Sequence, residues 1–385
     1  MKILQLGKFY PILGGVEKVE YELTTGLSEE GVRCDMMCAS LNAGGGRVTL
    51  NPYSDLILCK SLFKLFATTI SPAMILALRK ICNEYDIIHV HHPDPMAALS
   101  LMMSGYKGKV VLHWHSDILK QRVLLQFYRP LQRWLIRRAD KIVGTTRYYL
   151  ENSPYLKGFE DKFEEIPIGI NPIESQAKAA ESIRLMYGGR KIVFSLGRLV
   201  TYKGYHHLIE AAKYLPDDYV VLIGGSGPLE ADLNETIELH GLTDKVFLLG
   251  RLGEGDVPGY FGACNVFCLS SVMKTEAFGI VQLEAMSCSK PVVATIIPGS
   301  GVSKVNEHGV SGLNVEPGNA NALAGAILSI NSDEQTYSRY CKESRQRYDN
   351  NFTKRRMIDL SIALYRKLIG TDSLDCSNQS NRESN

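Results

Sequence analysis

Two halves of this chain open in the same way, with a short apolar run, a glycine-bearing turn and then a helical stretch. In the first half these are Lys2–Leu6, the turn GKFYPILGG and a helix over about Val16–Glu30. In the second they are Lys191–Leu196, the turn GRLVTYKG and a helix over about Tyr205–Leu215. Strand-like runs then alternate with helical ones: Arg33–Ala39, Ile87–His91, Val110–His113 and Lys141–Thr145, and later Tyr219–Ile223, Val246–Leu249, Asn265–Leu269 and Pro291–Ala294. Such alternation implies α/β architecture, with parallel sheets covered by helices on both faces. A length of 385 residues suits two domains rather than one core. The segment Ile166–Pro172 carries two prolines and a glycine and precedes a polar helix over Glu174–Tyr187. The expected organisation is therefore a domain over 1–170, a second over 171–352, a helix over 353–370 and a disordered Ser/Asn-rich tail over 371–385.

Bulk properties exclude several function classes. The net charge of +2 gives no field that argues for nucleic acid. The nine cysteines are odd in number and contain no C-x-x-C pair; Cys34, Cys38, Cys264 and Cys268 fall inside strand-like runs and read as buried thiols in a reducing compartment. The N-terminus turns polar too quickly for a signal peptide, and the most apolar stretch, Leu65–Leu78, is broken by Thr68, Thr69, Ser71 and Pro72. A soluble cytoplasmic protein is expected.

Ligands of open parallel sheets lie beyond the carboxyl ends of the strands, so residues just after each strand are the ones to read. Gly14 and Gly15 close the first turn and enter a helix, where free amides favour a phosphate. Arg198 and Lys203 lie on the turn that opens the second half; a guanidinium and an ammonium there suit a diphosphate. Gly225-Ser226-Gly227 is followed by Glu230 where a dinucleotide fingerprint needs a third glycine, which weakens any NAD reading. The strongest signal is the run Glu276–Glu284, EAFGIVQLE. Two carboxylates frame a turn with Gly279 and a helix entry: Glu284 could accept from vicinal hydroxyls, Glu276 is free to face a sugar, and the Phe278, Gly279 and Ile280 amides point at phosphate.

Taken together and in this order, the glycine pair, the Arg-x4-Lys-Gly loop, the Gly-x-Gly-Pro turn (Gly225–Pro228) and the E-x7-E element resemble glycosyltransferase family 4, from residue 1 to about 367. The resemblance implies the GT-B fold: two facing Rossmann-like domains with a deep inter-domain cleft, the first on the acceptor side and the second binding a nucleotide sugar. It implies a retaining hexosyltransferase in which Arg198 and Lys203 hold the donor diphosphate and Glu284 the ribose. Glu276 would contact the donor sugar, Gly15 and the Phe278–Ile280 backbone would surround the phosphates, and Gly225, Arg251 and Leu252 would border the nucleotide. Of two histidine clusters, HVHHPDP (His89, His91, His92) and LHWHSD (His113, His115), the resemblance puts His115 on the transferred sugar and His92 at a less consistent position. As metal ligands they are unattractive, because alternation along a strand sends neighbours to opposite faces. No Asp-x-Asp is present, and no metal cofactor is expected; the nucleotide-diphosphate sugar is a co-substrate.

The stretch Glu276–Val315 resembles bacterial enzymes of O-antigen and capsule assembly, mannosyl- and rhamnosyltransferases among them, which makes GDP-mannose the first donor to consider. A sugar phosphorylase or epimerase of the same fold is the alternative enzyme. A catalytically degenerate partner subunit would have lost Arg198, Lys203 or Glu284, and all three are present. Arg122, Arg129, Arg133 and Arg137 fall within a quarter turn of one another on a helix, with Leu125, Phe127, Tyr128, Trp134 and Leu135 adding apolar surface. Pro130 is expected to start or kink the second part of that stretch, so one unbroken helix is not expected. This stripe reads either as the solvated basic face of an ordinary domain helix or as a patch for anionic lipid, the latter suited to a polyprenyl-diphosphate-linked glycan acceptor at the inner face of the cytoplasmic membrane.

Overall fold

A computed structural model describes residues 1–11, 15–41, 44–65, 68–118, 122–174 and 176–370, with only the backbone at 65 and 122–124. Gly14, the Arg122 side chain and the tail 371–385 lie outside the described residues. The chain divides into two units, Met1–Ile168 with the segment from Lys354 onward, and Gly169–Thr353.

In the first unit the strands are β1 (Lys2–Tyr10), β2 (Arg33–Ser40), β3 (Gly46–Asn51), β4 (Ser54–Lys60), the short pair β5 (Phe63–Leu65) and β6 (Thr68–Ile70), β7 (Ile87–His92), β8 (Lys109–Trp114), β9 (Lys141–Gly144) and β10 (Phe163–Glu165). Eight of them form one sheet in the order β10-β9-β8-β7-β1-β2-β4-β3, parallel except for β3, which runs antiparallel at the edge. Helices α1 (Gly15–Glu29), α2 (Pro72–Ile81), α3 (Pro95–Ser104), α4 (Arg122–Arg138) and α5 (Arg147–Glu151) connect them. The central strands bury apolar residues on both faces, Ile3, Leu4, Leu6, Ile87, Ile88, Val90 and Val110–Leu112, as a sheet covered on both faces requires, with Gln5 and the histidines of β7 and β8 as the polar exceptions. The first strand continues past the expected end at Leu6: a register shift between Leu6 and Phe9 lets Phe9 and Tyr10 pair with Ala39 and Ser40.

Pro130 does not start a second helix, contrary to expectation: α4 is one helix from Arg122 to Arg138 with Pro130 inside it. Pro130 is exposed, so its ring meets no packed neighbour, and the helix is held by its other face, where Leu125, Tyr128, Gln132, Leu135 and Ile136 are buried. That burial offsets the roughly 3 kcal/mol an interior proline costs. It also removes Leu125, Tyr128 and Leu135 from the apolar surface expected of this helix, although Phe127 remains 80% exposed.

The second unit has a wholly parallel sheet of β11 (Lys191–Leu196), β12 (Tyr219–Gly224), β13 (Val246–Leu248), β14 (Val266–Leu269), β15 (Val292–Thr295) and β16 (Gly312–Val315), ordered β13-β12-β11-β14-β15-β16. The order reverses direction beside β11, which makes the space beyond β11 and β14 a topological switch point. Its helices are α6 (Ala177–Met186), α7 (Tyr205–Ala211), α8 (Glu230–Leu239), α9 (Val257–Ala263), α10 (Val281–Ser287), α11 (Val302–Val305), α12 (Ala320–Ile330) and α13 (Glu334–Asn351). The last helix, α14 (Lys354–Ile369), belongs to the first unit. There Ile358 lies against Gly26 of α1, and the fully buried Tyr365 sits beside β1 and β7. Cys34, Cys38, Cys264 and Cys268 are buried thiols, and burial pushes Cys264 and Cys268 up to about 12.

Candidate active site

In the second unit, three loops interlock at the carboxyl ends of β11, β12 and β13. The Gly197 amide donates to the Gly224 carbonyl (3.0 Å), Leu199 to Ser226 (3.1 Å) and Gly225 to Gly250 (2.7 Å). Gly225 has φ +135°, and a Cβ there would stand 1.9 Å from the Gly197 carbonyl oxygen, so only glycine lets these loops touch. This brings Arg198, Gly225, Arg251 and Leu252 to one end of the sheet. Arg198 is exposed, and among the described residues its side chain has no partner. Leu252 packs below Gly224.

Lys203 behaves differently. Its side chain is 9% exposed, and its ammonium lies 2.6 Å from the Glu276 carboxylate, itself 12% exposed. Burial alone would lower the lysine, but Glu276, with Tyr205 and Tyr202 nearby, outweighs it and raises the pKa. The Ser271 hydroxyl donates to the same carboxylate oxygen (3.0 Å), and the Ser300 hydroxyl donates to the Glu276 carbonyl (2.5 Å). Glu276 is therefore not the free carboxylate expected: a lysine this deeply buried needs a counter-charge, and the loop after β14 supplies it. The loops are also tied through backbone, Val272 N–H to the Tyr202 carbonyl (2.8 Å), and through the Ser270 hydroxyl to the Lys203 carbonyl (3.0 Å).

The rest of the E-x7-E element forms a turn and a helix start. Gly279 takes φ +76°, Phe278 is buried, and Ile280 leads into α10 with Glu284 half-buried at its fourth residue.

In the first unit the histidines gather instead of dispersing. His91 and His92 do point to opposite faces, but the spacing of two puts His89 with His91, and His113 with His115, and the β7/β8 register sets His91 beside His113. The rings lie close to parallel: His113 stacks on His115 with centroids 3.9 Å apart, His89 and His91 lie 4.8 Å apart, and His91 meets His115 edge to edge at 5.1 Å. On the other face His92 stacks on Trp114 at 3.6 Å and accepts a hydrogen bond from Gln132 Nε2 (3.1 Å).

Gln5, a lone polar residue in the middle of an apolar strand, orders this cluster. Its side-chain carbonyl lies 2.9 Å from His91 Nε2, and His91 Nδ1 lies 2.8 Å from His115 Nε2. Burial pushes His91 and His115 well below the usual imidazole range, so both are neutral. An amide oxygen only accepts, so His91 carries its proton on Nε2 and accepts at Nδ1. His115 must then donate from Nε2, which leaves its Nδ1 as a lone-pair acceptor for a hydroxyl. No signal in either histidine motif pointed to Gln5; its polarity within Lys2–Leu6 is the clue that would have found it.

Nitrogens of His91, His113 and His115 lie within 4.8 Å of one another, close enough to suggest a metal site. Their ring planes argue against it. An ion must lie in the plane of each imidazole it binds, and His113 stacks face to face on His115 at 3.9 Å with planes 11° apart, so an ion in the plane of one of these rings does not lie in the plane of the other.

Comparison with known proteins agrees with this architecture. Residues 13–174 match the family model Glycosyltransferase Family 4, and residues 178–353 match Glycosyl transferases group 1. The chain belongs to the glycosyltransferases of this family, enzymes with two Rossmann-like domains of the GT-B type. It is 32% identical over 379 residues to the O-antigen chain mannosyltransferase C of Escherichia coli, covering 97% of this chain and 100% of that one. It is 30% identical to the D-rhamnosyltransferase WbpZ of Pseudomonas aeruginosa, covering 92% of each. Among solved structures, Anabaena HepE in complex with UDP superposes with a TM-score of 0.78 at 20% identity, covering 95% of this chain and all of that one. Among the described residues no helix is long and apolar enough to cross a membrane.

Proposed function

We propose that this glycosyltransferase moves a hexose from a nucleoside-diphosphate sugar to a glycan acceptor with retention of configuration, using the carboxyl-end loops of the second domain as its donor site. The observation that carries this reading is the gathering of Arg198, the Lys203–Glu276 pair and the Gly279 turn into α10 around the switch point of one sheet. In this reading Arg198, Lys203 and the amides of Phe278–Ile280 neutralise the departing diphosphate, and Glu284 accepts from the ribose hydroxyls. The acceptor oxygen attacks the anomeric carbon on the side from which the diphosphate leaves. The carbon–phosphate-oxygen bond breaks as the new glycosidic bond forms, and the acceptor's proton passes to the leaving phosphate. Glu276 and the Nδ1 lone pair of His115 orient sugar hydroxyls. Gly15, at the start of α1, is assigned to the phosphates.

GDP-mannose is the first donor to test, because the relatives above are named as mannosyl- and D-rhamnosyltransferases. The first of those names also favours a role in O-antigen assembly, and to that role we add a polyprenyl-diphosphate-linked acceptor at the cytoplasmic membrane face as part of the proposal. Purified protein incubated with a panel of nucleotide sugars should release GDP from GDP-mannose fastest; faster hydrolysis of a uridine or thymidine donor would sink that choice. No metal takes part in this scheme, so EDTA should leave most of the activity. Complete loss restored by a divalent ion would overturn the metal-free mechanism.

His115→Ala should lower transfer by about 10- to 100-fold through loss of one polar contact in the transition state. Nucleotide affinity should stay within about twofold, because the second domain supplies the phosphate contacts. His91→Phe, which keeps the ring stack but frees the His115 proton, should lower turnover with little change in KM. Calorimetry with GDP and steady-state kinetics check both; a large loss of GDP affinity in either variant would contradict the division of labour.

A further inference from the structure

The geometry points to a second anion site, in the first domain: we propose that a cavity between α4 and the segment 154–159 binds a diphosphate group. The cavity measures about 340 Å³ and is lined by Arg129, Arg133 and Arg137 from α4 and by Lys157, Tyr155 and Phe159 from that segment. The three arginines follow one another at i, i+4 and i+8, so their guanidinium groups share one stripe facing one space. Among the described residues, no Asp or Glu lines the cavity, and none of these four cations makes an ion pair or a side-chain hydrogen bond. Elsewhere in this unit exposed basic side chains find carboxylates, as Lys109 finds Asp140 and Arg147 finds Glu151.

Like charges four residues apart oppose helix formation, and α4 also carries Pro130 inside it. Three arginines on such a helix, with Lys157 across one concavity and no ion pair among the four, call for an anion of comparable charge. Two linked phosphates supply three or so negative charges and oxygens that guanidinium forks match in pairs. The concave shape separates this from a flat patch for lipid headgroups in general: the cations converge on one volume, with Tyr155 and Phe159 as walls for whatever the diphosphate carries. Gln132 lines the same cavity and reaches His92 at the end of β7, which connects the site to the strand ends of its own sheet. The site's place in catalysis, gripping the acceptor by its diphosphate, rests on the transferase reading above; the binding itself does not.

Calorimetric titration of the full chain with inorganic pyrophosphate at low salt tests the binding without turnover. If the donor-site reading also holds, the wild-type protein takes up two pyrophosphates and Arg133→Gln/Arg137→Gln takes up one. If only the cavity binds, the counts are one and none. Affinity at the cavity should fall at least about tenfold with each guanidinium removed. A double variant that titrates like the wild type overturns the proposal and leaves the donor reading untouched. A second arm identifies the source of the diphosphate, by sedimentation with neutral vesicles doped with a polyprenyl diphosphate or, at equal charge, with phosphatidylglycerol. Preference for the diphosphate vesicles, competed by pyrophosphate, assigns the cavity to a lipid-linked headgroup. Pyrophosphate binding without any vesicle preference assigns it to a soluble diphosphate. Equal binding to both vesicles, unaffected by pyrophosphate, reduces the arginines to a diffuse membrane patch and defeats the inference.

Discussion

Lys203→Ala and Glu276→Gln should each lower turnover by about 100- to 1000-fold, the scale of removing one preorganised charged contact from a water-poor site. The two side chains also depend on each other for stability. The pair is about nine-tenths buried, and leaving one charge there without its partner costs on the order of 3–5 kcal/mol. Glu276→Gln strands the ammonium of Lys203, whose remaining close neighbours are the phenols of Tyr202 and Tyr205. The double variant Lys203→Met/Glu276→Gln removes both charges, keeps most of the volume, and should unfold at a higher denaturant concentration than Glu276→Gln alone while remaining as inactive. A double-mutant cycle followed by urea unfolding and by donor hydrolysis reads both quantities. Strictly additive stabilities would remove the energetic role of the pair, and near-wild-type hydrolysis in either single variant would sink the donor-site assignment.

That pair also marks the limit of what the chain reveals by itself. Arg198, Lys203, Glu276 and Glu284 were recognisable because each follows a strand with a glycine turn beside it, and strand ends are where an open parallel sheet binds ligands. The contact between Lys203 and Glu276 spans 73 positions and depends on β11 and β14 lying side by side, a strand order that local patterning does not carry. For the same reason a spacing of two within β7 and within β8 places histidines on a face, but only the register between the strands sets His91 beside His113 and builds the stack. The hairpin of β3 and β4 went unread because β3 is an exposed edge, where no buried face imposes alternation. The continuity of α4 through Pro130 was misjudged because propensity is a local term and the buried face of that helix is not.

The first domain should lose stability steeply below pH 6, with the second domain much less affected. His89, His91, His92, His113 and His115 are all buried, and burial pushes His92 and His113 down to about 3 and the other three well below the imidazole range. Unfolded, each returns to about 6.5. A depressed folded pKa contributes stability that is present above the unfolded value and is lost as pH falls toward the folded one. At pH 5 the unfolded domain therefore binds about five more protons on these rings than the folded domain does. Two carboxyls act in the opposite sense: burial raises Asp94 to about 6 and Glu20 well above the carboxylate range, so the folded state holds about two protons that the unfolded state releases. The net uptake on unfolding is about three protons, or a slope near 4 kcal/mol per pH unit, and the loss between pH 7 and pH 5 is about 5 kcal/mol. That is comparable with the whole stability of an ordinary domain. The second domain's histidines are exposed or half-buried, without a cluster of this kind among the described residues. Both tryptophans, Trp114 and Trp134, lie in the first domain, so tryptophan fluorescence during urea unfolding reports that domain alone. Its midpoint should fall sharply from pH 7 to pH 5. Among the described residues neither ring nitrogen of His113 has a hydrogen-bond partner, so His113→Leu removes an unsatisfied buried group and one of the proton sites together. That variant should be at least as stable as the wild type at pH 7 and should show a slope about one proton smaller. A midpoint that stays constant from pH 7 to pH 5 would mean that the histidine stack is already charged in the folded protein, and the neutral Gln5–His91–His115 chain would fall with it.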